Sequence, residues 1–290
     1  MDKKQTIEKA KELKEYSGED RLILATELMQ ELEKENKGLL NFMTGMQKMD
    51  ELTQGFKPGN LIALGGFPGE GKSTFARTLT KRFLDNKIHC LWFQFEESEF
   101  EFLKHFGDNI PEFFIPKTIK EKSIDWIEEK IIESVVSKNI QEEKRPKIIF
   151  IDNLNAIKNT ALSRQEKAGL NEVSLYEVIS QRIKNLAVDY ELSVFLMVNS
   201  NRSEANGRQS ILDDSSFYGS QQIAHIADSC WSIWRRKEKA KSWDKPAQFY
   251  DEAMLNISKN RGYNRKCGII KLKFENGEFS EIEELNNTYE

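Results

Sequence analysis

The stretch that most constrains this chain is LIALGGFPGEGKST, residues 61–74. It reads as a short apolar strand, a glycine-rich turn and the start of a helix. Gly66, Gly71, Lys72 and Ser73 satisfy the spacing G-x-x-x-x-G-K-[ST], the phosphate-binding P-loop pattern. Glycine lets the backbone curl until successive N–H groups point inward at phosphate oxygens. The positive end of the following helix adds to that field. The loop residues Phe67, Pro68, Gly69 and Glu70 and the helix residue Thr74 join this expected nucleotide contact. Lys72 is expected to reach the β- and γ-phosphates, and the Ser73 hydroxyl to ligate Mg²⁺.

At 290 residues the chain fits one large domain with an appendage. Forty-three Lys and Arg against 47 Asp and Glu leave a net charge of −4. That excludes a uniformly basic nucleic-acid coat but not a local basic surface. Three widely spaced cysteines, Cys90, Cys230 and Cys267, form no zinc pattern. They read as free thiols of a reducing intracellular compartment, cytoplasmic or organellar. No apolar run approaches the ~20 residues of a membrane span.

Residues 1–38 are expected to be helical and separate. Ser17 is a candidate N-cap for a helix carrying Leu22, Leu24, Leu28 and Leu32. This segment is either a solvated helical pair or an arm docking on a neighbouring subunit. Beyond the P-loop helix, apolar runs near 88–95, 147–151, 193–198 and 229–234 read as strands. Helical patterns separate them at 97–106, 123–139, 170–190 and 219–226. Residues 235–245 read as a charged loop, and 253–258 with 268–275 as a late hairpin-like pair. Strands alternating with helices predict a mainly parallel sheet with helices on both faces. Ligands of such sheets sit beyond the carboxyl ends of the strands. Glu96, Asp152 and Asn199 are each expected there, one residue past a core strand.

Asp152 after KIIFI has the Walker B pattern, expected to hold Mg²⁺ with Ser73. Glu96 is placed to deprotonate the water that attacks a γ-phosphate, with Glu97 a competing candidate. Asn199 is placed to sense the γ-phosphate, or simply to cap its strand.

Together these positions resemble the C-terminal ATPase domain of hexameric replicative helicases, the DnaB family, over about residues 43–283. The likeness is strongest to Twinkle-type and phage primase-helicase members. TGMQKMDELTQGFKPGN leads into the P-loop as in the family, CLWFQFEES carries the family's catalytic glutamate at Glu96, and IIFIDNL its Walker B strand. FYGSQQIAHIADSCWSIWR and ISKNRGYNRKCGIIKLKFEN are the more specific matches. The second carries Lys259 and Arg261, which the resemblance sends into a neighbouring subunit's ATP site, the arginine as finger. Arg235 and Phe274 match positions that sandwich the adenine, with the Phe274 register open by one residue. The polar loops after Walker B and after Asn199 would line a central DNA channel. They offer Lys158, Arg164 and Lys167, then Arg202 and Arg208.

The expected fold is therefore a RecA-like P-loop NTPase of α/β class, with a helical extension at 1–42 and the ATPase domain at 43–290. The resemblance implies an ATP-dependent DNA helicase that uses Mg²⁺ and ATP, or another nucleoside triphosphate. It would form a homohexameric ring on single-stranded DNA, with a primase or helicase loader as further partner and no membrane. The alternatives are a RecA-like ATPase that assembles without unwinding, and an accessory subunit without turnover. Three departures from the family stand out: Asn199 is shorter than the usual Gln or His, His225 stands where Gln is frequent, and no collar or primase module precedes residue 43.

Overall fold

The computed structural model describes residues 9, 14, 16–18, 21–34, 41–157, 172–199, 221–237 and 249–282. They divide into two compact units, Met1–Leu40 and Asn41–Glu290.

In the first unit a helix spans Ala25–Lys34, and none of its residues is buried within the chain. Ser17 does not cap it. Leu22 and Leu24 precede the helix, and a turn closes instead from the Arg21 N–H to the Gly18 carbonyl at 3.1 Å. Glycine is a poor helix residue, by about 1 kcal/mol relative to alanine, and Gly18 sits where the expected first turn would run.

The second unit is built on one eight-stranded sheet. In chain order its strands are β1 (Leu61–Gly66), β2 (Cys90–Gln94), β3 (Ile148–Asp152), β4 (Ser193–Asn199), β5 (Ser229–Lys237), β6 (Phe249–Asn260), β7 (Gly268–Glu275) and β8 (Glu278–Glu281). Their order across the sheet is β2-β3-β4-β1-β5-β6-β7-β8. The first five are mutually parallel, and β6, β7 and β8 add an antiparallel meander.

Successive side chains of a strand point to opposite faces, and both faces here are covered. On one, Leu61, Phe93, Ile151 and Leu196 pack with helices Ile124–Val136 and Glu172–Asp189. On the other, Ile62, Trp92, Phe150 and Phe195 pack with the P-loop helix Lys72–Asp85. This second face carries an aromatic row. Ring centroids of Trp92 and Phe150 are 4.7 Å apart, Phe150 and Phe195 5.0 Å, and Phe195 and Trp231 5.8 Å. Such pairs contribute about 0.5–1.5 kcal/mol each beyond their burial. Both tryptophan N–H groups are satisfied, by Thr80 Oγ1 and Ser229 Oγ.

Three expectations change. Residues 235–237 continue β5 rather than opening a loop, because they pair with β6 across a register shift. Asn153 is followed by a short helix, Leu154–Ile157. The late hairpin has a third strand, β8. Its two-residue connection Asn276-Gly277 has φ of 53° and 83°, the positive values that favour Asn-Gly in tight hairpins.

Candidate functional site

The P-loop follows directly from β1. Gly66 ends the strand with φ of 155°, and a Cβ there would lie 2.8 Å from the Ile233 carbonyl oxygen. Gly71 begins the helix at φ of 102°, and its Cβ would meet the Phe279 ring at 3.0 Å. Both positions require glycine for the turn and for the neighbour that crosses it. The Lys72 ammonium donates to the Gly66 carbonyl at 2.8 Å and the Phe67 carbonyl at 3.3 Å. It is buried, and burial lowers its pKa against the raising influence of Asp152, Glu96 and Glu70. The Glu70 carboxylate, also buried, accepts the Phe67 N–H at 3.1 Å.

The parallel register carries the other groups to the same edge. Gly66 pairs with Asn199 across β1 and β4, and Gln94 pairs with Asp152 across β2 and β3. Asp152 and Asn199 are the last residues of their strands, and Glu96 stands two residues beyond β2. The expected one-residue offset is thus replaced by direct strand termini for two of the three. Ser73 Oγ donates to Asp152 Oδ2 at 2.5 Å. Asp152 is buried, and desolvation pushes its carboxyl up to about 6, against the Ser73 hydrogen bond that lowers it. The Glu96 carboxylate accepts a hydrogen bond from Asn153 Nδ2.

These groups surround a cleft of about 300 Å³, lined by Pro68, Gly69, Gly71, Lys72, Ser73, Thr74, Glu96, Asn199 and Arg235. Gly66, Phe67 and Glu70 form the loop's interior by the hydrogen bonds above. Glu97, the competing candidate for the base, lines the cleft as well, and so do two residues not singled out from sequence, Arg77 and His105. Arg77 donates to Thr74 Oγ1 at 3.1 Å, and Glu97 is its strongest acidic neighbour. Glu97 also lies 3.2 Å from His105 Nε2. Glu97 therefore faces cationic partners, while Glu96 faces the amide of Asn153. Arg77 lies five residues past Lys72, on the buried side of the P-loop helix. That spacing was the available sequence signal.

The guanidinium of Arg235 lies over the Phe274 ring at 4.6 Å and near the Phe279 ring at 5.9 Å. Arg235 and Phe274 thus meet at one wall of the cleft, in contact with each other. Phe279, on the β8 strand absent from the sequence reading, backs this wall and touches Phe274 and Phe75. The Asn276-Gly277 dipeptide was the signal for it.

Arg261 and Lys259 sit at the opposite end of the sheet. Asn260 pairs with Ser229, the first residue of β5, and the Arg261 N–H donates to the Asp228 carbonyl at 2.8 Å. Arg261 is exposed. It is separated from its own P-loop by the length of β1, roughly 17 Å at strand rise. The Lys259 ammonium donates to the Ala224 and Ala227 carbonyls, at the C-terminal end of helix Gln221–Ile226. A cation there complements the helix dipole, so Lys259 is engaged inside its own chain. Asp228 has a structural task as well: its Oδ2 accepts from the Leu61 N–H at 2.8 Å and the Lys184 ammonium at 2.6 Å. Lys158, Arg164, Lys167, Arg202 and Arg208 lie outside the described residues.

A P-loop running into one helix, with acidic and amide groups at neighbouring strand ends, is shared by many nucleotide-binding folds. The comparison with known families decides among them. Residues 41–107 and 117–284 match the model of the DnaB-like helicase C-terminal domain. The chain belongs to this family.

This DnaB-like domain is 24% identical over 265 residues to a probable replicative DNA helicase of Trieres chinensis, covering 82% of this chain and 56% of that protein. It is 25% identical over 279 residues to the replicative DNA helicase DnaB of Mycoplasma genitalium, covering 85% and 57%. The chain spans just over half the length of these relatives. Among solved structures it resembles an isolated ATPase domain, with TM-score 0.71 and 18% identity over 91% of this chain and all of that one. It also resembles a DnaB-like replicative helicase studied for its interactions with primase, with TM-score 0.67 and 19% identity over 97% and 72% of the two chains. The DnaB-like domain thus has the RecA-like fold expected from its sequence.

Mg²⁺ fits the donors present. A serine hydroxyl and a carboxylate are hard oxygen ligands of the kind Mg²⁺ takes beside phosphates, and they already meet at the cleft. Among the described residues no larger cluster of His, Cys, Asp and Glu offers an all-protein metal cage. Among them, too, no helix is long and apolar enough to cross a membrane.

Proposed function

We propose that this chain is the motor of a replicative DNA helicase, hydrolysing ATP with Mg²⁺ and moving on single-stranded DNA as a ring of identical subunits. The observation that carries the reading is the meeting of Lys72, the Ser73–Asp152 pair and Glu96 around one cleft. Family membership supports the same conclusion.

In this reading the loop amides and Lys72 hold the phosphates, and Ser73 and Asp152 hold Mg²⁺. The metal, when bound, supplies charge neutralisation on the β- and γ-phosphates. Glu96 takes a proton from water as the water oxygen bonds to the γ-phosphorus. The bond to the bridging oxygen breaks, and ADP leaves with that electron pair. Asn199, at the end of the strand beside β1, is the group that senses the γ-phosphate. Arg235, Phe274 and Phe279 form the wall for the base.

Arg261 faces away from its own cleft, which supports a role in a neighbour's site and hence a ring. Lys259 then acts by fixing the helix before β5. The basic residues Lys158, Arg164, Lys167, Arg202 and Arg208 are the proposed contacts to DNA phosphates. A primase or loader is a further partner of this proposal, since the DnaB-like helicase of one similar structure interacts with primase.

The test is a forked duplex with a single-stranded tail. Strand separation that needs ATP and Mg²⁺ is expected, with ATPase stimulated by single-stranded DNA. DNA-stimulated ATPase without strand separation, with the N-terminal segment and candidate partners supplied, would favour the alternative of a RecA-like ATPase that only assembles.

A further inference from the structure

The side chain of Asn153 serves two groups that are far apart in the chain. Its Oδ1 accepts the Ala156 N–H at 3.2 Å. That is the bond of an N-cap to the third residue of the following turn, here the helix Leu154–Ile157. Its Nδ2 donates to the carboxylate of Glu96. The side chain is buried, with only 2% of its surface exposed.

The two partners fix which end of the amide points where. Ala156 offers only a hydrogen, and the ionised Glu96 carboxylate offers only acceptors. Turning the amide over would set oxygen against carboxylate and NH₂ against N–H. Capping requires only the oxygen. Aspartate or serine would cap this turn as well as asparagine does. The nitrogen is therefore needed for Glu96 alone. A second hold acts on the same residue, since the Glu96 N–H donates to Gln94 Oε1 at 2.9 Å. Gln94 is buried on β2, in register with Asp152.

We propose that Asn153 is a positioning residue for Glu96: its amide binds one carboxylate oxygen and leaves the other to receive the proton of the attacking water. This inference rests on the reading of Glu96 as the general base. Without the amide the carboxylate of an exposed glutamate is free to turn. Reactions of this kind lose rate steeply when the reacting group moves by about 1 Å. Because the same side chain starts the turn after β3, the base and the Walker B strand end are held by one group.

The experiment uses the full chain with single-stranded DNA, ATP and Mg²⁺. Asn153→Asp keeps the cap, removes the donor and places a second carboxylate beside Glu96. kcat is expected to fall about tenfold to a hundredfold, while nucleotide affinity, from fluorescent ATP-analogue binding, stays as in the parent. Asn153→Ser, which caps but does not reach Glu96, is expected to fall similarly and serves if the aspartate variant does not fold. The deciding measurement is a double-mutant cycle. In a Glu96→Gln background, Asn153→Asp should lower the residual rate no further, since the donor acts only through the carboxylate.

A parental kcat in both Asn153 variants overturns the inference. So does an equal additional loss in the Glu96→Gln background, which would mean that Asn153 acts through the fold or through Asp152. Normal turnover of Glu96→Gln alone would instead overturn the assignment of the base.

Discussion

Ser73 Oγ donates to Asp152 Oδ2 at 2.5 Å, joining the first turn of the P-loop helix to the last residue of β3. The bond spans 79 residues of sequence and closes the floor of the cleft. Its acceptor is a buried acid.

That burial has a measurable cost. Asp152 titrates near 6 in the folded, metal-free chain, above its ordinary 3.8, chiefly because it is desolvated. A carboxyl raised in the folded state contributes its full stability below the unfolded value and loses it as pH climbs through 6. Asp152→Asn in EDTA should therefore stabilise the nucleotide-free protein at pH 8, by up to about 3 kcal/mol, and change it little near pH 4. Denaturant unfolding at the two pH values measures this. Destabilisation at pH 8 would show that Lys72 and Arg77 outweigh the desolvation. The same substitution should abolish Mg²⁺-dependent hydrolysis.

Lys72→Ala removes the main cationic contact to the phosphates and should abolish hydrolysis. Glu96→Gln keeps the shape and loses the base, so nucleotide should bind while turnover falls by ~10²–10⁴. Glu97→Gln should retain most activity, because Glu97 faces His105 and Arg77. Steady-state ATPase on the three variants checks this, and a reversed order of Glu96 and Glu97 would move the base to Glu97.

Arg261 tests the ring. Arg261→Ala and Lys72→Ala subunits should each be inactive alone. Mixed, some interfaces pair an intact P-loop with an intact arginine, and part of the DNA-stimulated ATPase should return. An arginine finger contributes ~10³ or more, so the recovery stands well above background. Mixed rings that form, as seen by native mass spectrometry, yet stay inactive would remove the finger role.

Neutralising Arg202 and Arg208 should weaken single-stranded DNA binding and flatten its salt dependence. Each lost phosphate contact should lower the log–log slope by about 0.7. DNA-independent ATPase should survive. Fluorescence anisotropy across a salt series reads the slope, and an unchanged value would move the DNA path elsewhere.

What could be read before folding is what depends on neighbours in the chain. The P-loop is a run of adjacent residues whose backbone geometry needs glycine at set positions, so its spacing alone identifies it. The core strands are apolar on both faces and the helices carry one apolar stripe, so their order predicts the parallel sheet. Asp152 and Asn199 follow because strand ends of such a sheet converge. The signal faded where pairing partners decide. Residues 235–237 are charged, and only their ladder with β6 makes them strand. β8 is four residues long and owes its place to the Asn276-Gly277 turn and to Phe279 packing on Gly71.

Sequence by itself determined the nucleotide loop, the alternation that forces a parallel sheet, and the acidic and amide groups at its strand ends, because those depend on local backbone preference and side-chain period. Tertiary structure alone decided which partner each of those groups meets. It set Lys259 on the carbonyls of Ala224 and Ala227 rather than beside Arg261, and put Glu97 opposite His105. It also brought the amide of Asn153 to Glu96 across 57 residues. Hydrogen bonds and ion pairs act over a few ångströms, and only the register of neighbouring strands brings distant residues within that reach.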